Sequence, residues 1–438
     1  MTPSLLFLLL LAQAQGLDEP PEAAPTIAST ERWHYLIRGE ATTLVLLPRG
    51  RVGAREGFMV VEPTLILDGG EAFGLNVGAP VRLWLWGNEA GAGRVRREDW
   101  DSLSDWGQWV RTLKLGSDST PVALWVGALE GYSLLSGHLV RRYSNRANPD
   151  DHPAGAFLTS RMGPLYVEAF ASDVLSARLM GAQAEVDLAH VFTGAPPEPG
   201  RYTLGLSAVR DWDRAGGASP PVTLAHVDVT AVLVVRPGFE LHVLGGWGER
   251  LGDAGAWGAV VGMGADALTP TLDMKLRVEV RRQHGGFRQG DFGPDYELSR
   301  WNGVGTSGPP MVRAPFPEGF SAYGEAVVGW DGVRLGEMLQ RHLHLSLGAE
   351  VFDWGRVDVD GRVALQLAGR RMEVAVKGLA LGLGQPGARH LYSGELRWRF
   401  ASRLYALAQG GTRLSPRADG TLRPVVFAAF GLGVDHAR

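Results

Sequence analysis

The sequence has no cysteine, only three lysines, and no apolar stretch of the roughly 20 residues that a membrane-spanning helix needs. Without cysteine, we expect no lipid anchor on an N-terminal cysteine. A formal net charge of −4 excludes strong electrostatic attraction to nucleic acid. If the chain meets a membrane, it must therefore cross it with β-strands, whose backbone groups pair with one another in a closed sheet.

Glycine and tryptophan are abundant, with 60 and 14 residues respectively. The mean hydropathy of −0.03 is typical of a soluble protein. The same value arises when apolar and polar residues alternate, because a two-faced strand averages to zero. Together these features favour a protein with many β-turns and interfacial aromatic residues over an enzyme with a helical core.

The first 30 residues carry the features of an export signal. Residues 5–11 form a short apolar run, and the small residues that follow it suit a cleavage site. No lysine or arginine precedes the run, so only the amino terminus supplies positive charge there. We therefore expect a signal peptide at 1–16, a flexible acidic and proline-rich lead-in at 17–30, and a folded region at 31–438.

Strict alternation of apolar and polar residues is the strongest signal in the folded region. In window 273–281, Met274, Leu276 and Val278 share one face, and charged residues occupy the other. Successive side chains of a strand point to opposite faces, so each such window predicts a two-faced strand. Windows of this kind are 273–281, 342–352, 356–367 and 391–400, with further candidates at 33–43, 57–67, 72–86, 121–129, 164–171, 178–192, 201–211, 222–235, 238–248, 256–268, 319–330, 371–383, 403–413 and 424–435.

Two architectures can use such strands: a soluble sandwich or propeller, and a membrane barrel with a wet interior. Strand lengths of about ten residues match a tilted membrane span. Phe320 and Trp330 share a face ten positions apart, as aromatic girdles require. The apolar faces are rich in small residues, whereas a sandwich core needs bulkier side chains. We therefore predict an all-β fold, a single antiparallel transmembrane β-barrel of about 16 strands, with a range of about 14 to 18.

Three stretches do not fit strands. In the insert at 88–119, apolar residues at helical spacing predict a short helix capped by Ser104 or Asp105. Residues 141–154 read as a polar loop. Residues 283–318 are long and rich in glycine and proline, and we expect an outward loop that folds partly over or into the mouth of the barrel.

The charged strand faces form the main candidate site, because they would converge on a lumen that is either wet or held by salt bridges. The residues predicted to line this lumen are Lys275, Arg277, Glu279, Arg281, His342, His344, Glu350, Arg356, Asp358, Asp360, Arg362, Glu373, Lys377, Glu395, Arg397 and Arg399. The residues predicted to face lipid or form the aromatic girdle are Phe320, Trp330, Leu343, Leu345, Leu347, Tyr392, Trp398 and Phe400.

Constellations that would carry other chemistry are weak. The run Asp150-Asp151-His152 could activate water, but neighbouring loop residues point apart, and a solvated loop explains it better. His342 and His344 could share a metal with Glu350, and lumen-lining side chains explain them more simply. The glycines of 262–264 have no strand-turn-helix context for phosphate binding. We expect no catalytic residue, no metal and no cofactor. A rim hydrolase using His138, Asp151 or His152 ranks last.

The export signal followed by some 400 residues of alternating strands resembles the porin-like outer-membrane β-barrel proteins of Gram-negative bacteria. The stretch Gly137-His138-Leu139-Val140-Arg141-Arg142-Tyr143-Ser144-Asn145 is fainter in its likeness, to large barrels of gliding and predatory deltaproteobacteria. Many porins end in an aromatic residue, whereas the aromatic residue nearest this terminus is Phe430.

The porin resemblance implies an outer-membrane location and a passive channel for small hydrophilic solutes. Its partners would be outer-membrane lipid and those solutes, and no nucleic acid. The fainter resemblance keeps open a non-conducting barrel that serves as a scaffold or secretion component of a multi-protein envelope machine for motility or adhesin display. Its partners would then be other envelope proteins.

Overall fold

The structure is a computed structural model of the chain. The structure describes residues 34–48, 56–70, 72–87, 93–117, 120–147, 151–194, 202–212, 221–269, 271–301, 316–331, 342–368, 371–385, 388–416 and 422–437. The expected signal peptide and lead-in lie outside the described residues.

Most of the described residues lie in strands. Its strands are β1 His34–Pro48, β2 Glu56–Asp68, β3 Phe73–Val77, β4 Val81–Trp86, β5 Val110–Leu115, β6 Val122–Gly127, β7 Glu130–Tyr132, β8 Tyr143–Ser144, β9 Gly155–Met162, β10 Leu165–Ala171, β11 Leu179–Asp187, β12 Tyr202–Asp211, β13 Val222–Arg236, β14 Phe239–Arg250, β15 Asp253–Leu268, β16 Leu272–His284, β17 Gly319–Asp331, β18 His342–Phe352, β19 Val357–Leu367, β20 Met372–Leu383, β21 Arg389–Arg399, β22 Leu404–Pro416 and β23 Leu422–Ala437. The helices are α1 Leu188–Thr193 and α2 Tyr296–Trp301, with 3₁₀ turns at Arg97–Asp99 and Ser104–Trp109. No helix in these ranges is long and apolar enough to span a bilayer.

The strands form one closed antiparallel barrel. Each ring strand pairs with its neighbours along the chain, and β1 closes the ring on β23, from Leu36 opposite Ala437 to Pro48 opposite Val425. In the described part of the chain, 20 strands make the ring, and β4 stands outside that count. β4 extends β3 along β2 in one register, because Leu65 faces Val77 and Val61 faces Val81. Over the described residues this closure pairs the first strand of the ring with the last, as a membrane barrel requires.

The expectation of about 16 strands is wrong. It assumed about 25 residues for each strand with its turn, whereas 15 ring strands fit between Gly155 and Ala437 because most of their turns are short. The alternation pattern located 18 strand windows and missed two ring strands. One is β5, which follows directly on the 3₁₀ turn Ser104–Trp109 in the stretch expected to be helical. The other is β9, whose inward-facing Phe157 breaks the polar-apolar alternation.

The two faces of the wall are inverted relative to a soluble β-protein. On β16, Val278 and Val280 are 58% and 52% exposed, whereas Glu279 and Arg281 between and beside them are each 1% exposed. An apolar outer face with buried charges inside is the arrangement of a transmembrane barrel. The barrel therefore turns its charged faces toward the interior, where the candidate site lies.

Candidate functional site: the interior of the barrel

The described residues between β6 and β9, 128–147 and 151–154, lie inside the ring and are called the inserted segment below. The Tyr132 hydroxyl donates to Glu168 on β10 at 2.6 Å. The Ser136 hydroxyl donates to Gln183 on β11 at 3.0 Å. Arg142 donates to Ser346, on β18, at 2.6 Å. A single segment that reaches β10, β11 and β18 must cross the interior of the barrel.

A second inserted segment, residues 285–301, packs against the first. Backbone hydrogen bonds join them, from Gly290 N to His138 O at 2.6 Å and from Arg141 N to Phe292 O at 3.2 Å. The Tyr143 hydroxyl donates to Glu297 of α2 at 2.5 Å. The loop expected at 283–318 thus enters the barrel over its described residues 285–301, and its residues 302–315 lie outside the described part.

The inserted segment contributes to a hydrophobic core. This was not expected, because the sequence predicts a polar loop at 141–154. Tyr143 and Asn145 are buried. Tyr132 stacks on Phe157 with ring centroids 5.5 Å apart and meets Phe170 at 5.2 Å. This explains why some inward positions of β9 and β10 are aromatic. The core comprises Leu129, Tyr132, Leu134, Leu139, Val140, Tyr143, Phe157, Phe170, Leu179, Val209, Leu224, Ala256, Phe287, Phe292 and Tyr296.

Glu279 on β16 is the centre of a buried charge cluster. It binds Arg277 next to it and accepts from Arg281 at 2.8 Å. From the inserted segment, Arg141 approaches it at 3.3 Å. The guanidinium carbons of Arg141 and Arg281 lie 4.3 and 4.1 Å from the ring centre of Tyr323. Because buried charges need partners, this cluster fixes the inserted segment to the wall.

A second group of ion pairs lies on β19. Asp358 accepts from Arg288 of the second inserted segment at 2.9 Å and from Arg356 at 2.8 Å. Asp360 binds Arg142 of the inserted segment. Both inserted segments are therefore held to the same wall strand by arginine–carboxylate pairs.

A cavity of about 380 Å³ separates the inserted segments from strands β17–β23. His344, Arg362 and Lys377 line it from the wall, and Arg142 and Arg146 line it from the inserted segment. Arg362 faces Lys377 directly across the β19–β20 pair. The charged side chains around the cavity, histidine apart, are five bases, Arg142, Arg146, Arg362, Lys377 and Arg413, and three acids, Glu130, Glu325 and Asp360. The charged lining of the cavity therefore has a basic excess.

The structure divides the predicted lumen residues among several groups. Arg277, Glu279, Arg281 and Glu350 share the buried cluster, since Arg281 also binds Glu350 at 3.1 Å. Arg356 and Asp358 form the second group, and His344, Asp360, Arg362 and Lys377 lie at the cavity. Arg397 lies 3.6 Å from Glu373, 3.8 Å from Glu395 and 3.3 Å from Glu40. Arg399 binds Asp435 at 2.5 Å. Lys275 lies on β16 beside Asp266 of β15.

His344 and Glu350, two of the three residues considered as ligands of a metal, have different surroundings in the barrel. Glu350 is engaged by Arg281 and by the Ser321 hydroxyl at 2.7 Å, whereas His344 lines the cavity. The side chain of His342 lies outside the described residues. Gly262 and Gly264 sit inside β15, where a Cβ would meet Glu279 and His242 of the neighbouring strands. Their role is close packing.

The residues predicted to face lipid differ in the exposure of their side chains. Phe320, Leu347, Tyr392, Trp398 and Phe400 are exposed. Trp330, Leu343 and Leu345 are partly exposed. Whether each one contacts lipid stays a prediction.

The three residues of the rim-hydrolase alternative have separate partners. Asp151 is buried against Arg178, and burial raises the pKa of its carboxyl to about 6. His152 lies 3.8 Å from Asp105, and burial, followed by Arg82 and Arg146, lowers the pKa of its imidazole to about 3. His138 stacks on His226 at 4.4 Å between ring centroids. The solvated-loop reading of Asp150-Asp151-His152 is wrong for Asp151, and residue 150 lies outside the described part.

Sequence reasoning missed the partners that the inserted segments supply. Arg141, Arg142 and Arg288 complete the ion pairs of the wall, but each lies in a segment without strand periodicity. The one usable signal was the adjacent pair Arg141-Arg142, flanked by apolar residues in a stretch read as a loop.

No family model and no curated protein matches the sequence. Among solved structures, Acinetobacter baumannii OccAB4 is 11% identical, over 93% of this chain and 98% of that one, with a TM-score of 0.36. A BenF-like porin from Pseudomonas fluorescens Pf-5 is 10% identical over 92% and 98%, with a TM-score of 0.36. Pseudomonas aeruginosa OccK2 (OpdF), in complex with glucuronate, is 14% identical over 92% and 96%, with a TM-score of 0.35. Likenesses of this size leave the function to be argued from the barrel itself.

Proposed function

We propose that the chain forms a passive channel of the bacterial outer membrane that admits small hydrophilic solutes. The membrane placement is supported by the closed ring and its apolar outer face, with Val278 and Val280 exposed beside buried Glu279. Water on both sides of the wall would leave that outer face unshielded, whereas lipid covers it. The function is transport without a catalytic step.

The cavity of about 380 Å³ is the observation that carries the proposal. Its size is within the range of small-molecule sites in proteins. It lies between the inserted segments and a wall that bears His344, Arg362 and Lys377. Such a lining replaces part of the hydration of a polar solute, and its basic excess favours anions mildly over cations.

We assign the wall residues accordingly. The predicted lumen-lining set would form the wet face at the cavity and the salt-bridged face at the buried cluster. The predicted lipid-facing set would meet the hydrocarbon layer. On the exposed face of β21, Tyr392 lies near the start of the strand, and Trp398 and Phe400 lie at its end and just beyond it. Aromatic girdles belong at both ends of such a face.

Reconstitution into planar bilayers tests the channel. The full chain is purified in detergent, and its folded state is verified by the different gel migration of boiled and unboiled samples. Folded protein should give discrete conductance steps, and the boiled sample should give none. A folded protein that leaves the membrane silent would overturn the proposal.

A non-conducting scaffold is the second candidate, and the packing of the inserted segments favours it. Their core of Leu129, Tyr132, Tyr143, Phe287 and Phe292 packs against inward side chains of β9–β13 and β15. If the remaining cavity is too narrow for solutes, the folded protein will be silent in bilayers. A stoichiometric partner recovered from native outer membranes would then support the scaffold.

A further inference from the structure

Three buried side chains meet where the inserted segment touches strand β13. His138 belongs to the inserted segment, and His226 and Asp228 lie two residues apart on the inward face of β13. One nitrogen of each histidine and one carboxylate oxygen lie within 4.8 Å of one another. All three residues are at most 4% exposed. Two imidazoles and a carboxylate are a donor set that suits Zn²⁺.

Two of the atoms at this meeting point, one on His226 and one on Asp228, lack partners among the described residues. Among the described residues, no hydrogen bond reaches Nδ1 of His226 or Oδ1 of Asp228. These two atoms are 3.6 Å apart, which is too far for a hydrogen bond. Two ligands that each bind Zn²⁺ at about 2.0–2.1 Å lie roughly 3.3 Å apart in a tetrahedron. A metal ion between them would satisfy both buried atoms.

Gln289 of the second inserted segment can set the tautomer of His226. Its side-chain nitrogen lies 3.2 Å from Nε2 of His226, and its oxygen has no partner among the described residues. The two amide ends are interchangeable by a 180° rotation. In the rotated form the oxygen accepts the Nε2 proton, so the lone pair of Nδ1 points toward Asp228. A hydrogen bond of this kind orients most metal-binding histidines.

Strand packing leaves room for the two wall ligands. A Cβ on Gly205 would come within 2.6 Å of the Asp228 carboxylate, and one on Gly246 within 2.4 Å of the His226 ring. Glycine at both neighbouring positions therefore lets these side chains lie flat on the wall and face the inserted segment. The register also places the carboxyl group of Glu185 on the far side of Gly205.

The nearest positive charge belongs to Arg277, which has partners of its own. Arg277 approaches both ring nitrogens of His138 at 3.4 Å. Its guanidinium is bound by Glu279 and donates to Ser136 O at 2.6 Å. The same carboxylate also pairs with Arg141 and Arg281, and Glu350 binds Arg281 in addition. One N–H of Arg277 can engage only one ring nitrogen of His138, so the other nitrogen is left for the metal.

We propose that His138, His226 and Asp228 bind one Zn²⁺ ion, with Gln289 orienting His226. The ion would join the inserted segment to β13 and, through Gln289, to the second inserted segment. It would hold one side of the barrel interior rigid, on the β13 side away from the cavity that β17–β23 line. Zinc binding at this site does not depend on whether the barrel conducts solutes.

Zinc binding by the full chain tests the site. Protein made without a polyhistidine tag is folded in detergent, stripped with EDTA and dialysed against Zn²⁺. We expect about one tightly bound ion per chain, and Co²⁺ in its place should give the visible absorption of a tetrahedral site. Absence of stoichiometric Zn²⁺ binding by the folded protein would overturn the proposal.

Matched variants locate the ion. His138→Gln and His226→Gln should abolish the stoichiometric binding, and Gln289→Ala should weaken it by about 10–100-fold. His390→Gln, which alters an exposed histidine on β21, should bind as the unmodified protein does. Gel migration before boiling verifies that each variant is folded. If His226→Gln does not fold, His138→Gln decides, and unchanged binding in it would refute the site.

Discussion

The guanidinium of Arg142 binds the carboxylate of Asp360, and so joins the inserted segment to wall strand β19 beside the cavity. The same guanidinium donates to Ser346 on β18 at 2.6 Å. The pKa of Arg142 is raised because Asp360 and Glu325 outweigh the effect of burial. Arg142 thus holds its charge within the interior, and its reach sets the distance between the inserted segment and the wall.

Shortening this residue should widen the cavity. Arg142→Ala removes the guanidinium from between the inserted segment and β18–β19, so single-channel conductance should rise. The free energy of unfolding should fall by about 1–3 kcal/mol, because Asp360 loses its partner. Bilayer recordings and urea titrations measure the two effects. Arg142→Lys, which keeps the charge, should change both less. A conductance that is unaffected by Arg142→Ala would show that the ions take another route.

The basic excess of the cavity should determine its ion preference. Lys377 lies next to Arg362 on the cavity wall, so Lys377→Glu places an acid among the bases. The reversal potential in a KCl gradient should shift toward cation selectivity. Arg403→Glu makes the same charge change on an exposed turn and should leave the potential nearly unchanged. Equal shifts in the two variants would argue that the cavity does not carry the current.

Much of the wall could be predicted from the sequence, because apolar and polar residues alternate in a strand that has one lipid face and one polar face. Window 273–281 coincides with β16, and the expected strand 72–86 spans β3 and β4. Strand β9 was not predicted because its aromatic residue Phe157 faces inward, where it stacks on Tyr132. That inward aromatic is explained only by the inserted segment, which local periodicity does not reveal.

The interior could not be predicted because its contacts join distant parts of the chain. Arg141 meets Glu279 across 138 residues, and Arg142 meets Asp360 across 218. The charged faces on β16 and β19 were recognised as a set, but their partners lie in segments without a period. Alternation therefore identifies which face is polar, and it leaves open whether that face is wet or paired.

The two faces of β18 should respond oppositely to a new charge. Leu347 is 44% exposed on the outer face near the middle of the strand, so Leu347→Arg should cost about 2–4 kcal/mol of folding free energy in lipid vesicles. His344 lines the cavity, and His344→Arg should be mild. Urea titration of vesicle-folded protein measures both. Comparable losses in the two variants would contradict the placement of lipid on the outer face.

The Glu279 cluster should make an outsized contribution to stability. Glu279→Gln removes the carboxylate that Arg141, Arg277 and Arg281 share, and leaves buried positive charge uncompensated. The expected loss in the free energy of unfolding is about 3–5 kcal/mol. Glu373→Gln breaks a half-exposed pair with Arg397 and should cost about 0–1 kcal/mol. If the two losses are the same, Glu279 does not anchor the inserted segment.

His152 should make the inserted segment sensitive to acid. Burial lowers the pKa of its imidazole to about 3 in the folded protein, whereas an unfolded histidine has a pKa near 6.5. The unfolded state therefore takes up a proton first, and the stability that neutral His152 provides above pH 6.5 is lost as the pH falls. Between pH 7.5 and 5 the loss should be about 2 kcal/mol.

A neighbouring group opposes this effect, so the prediction rests on a comparison of variants. Asp151 has a pKa raised to about 6, mainly by burial, and its folded form gains a proton and stability over the same interval. His152→Gln removes the histidine contribution and keeps that of Asp151. Urea midpoints at the two pH values should therefore fall further for the unmodified protein than for His152→Gln, and His390→Gln should follow the unmodified protein. Parallel pH profiles for the unmodified protein and His152→Gln would mean that the imidazole is solvated, and that the inserted segment is looser around His152 than its contact with Asp105 implies.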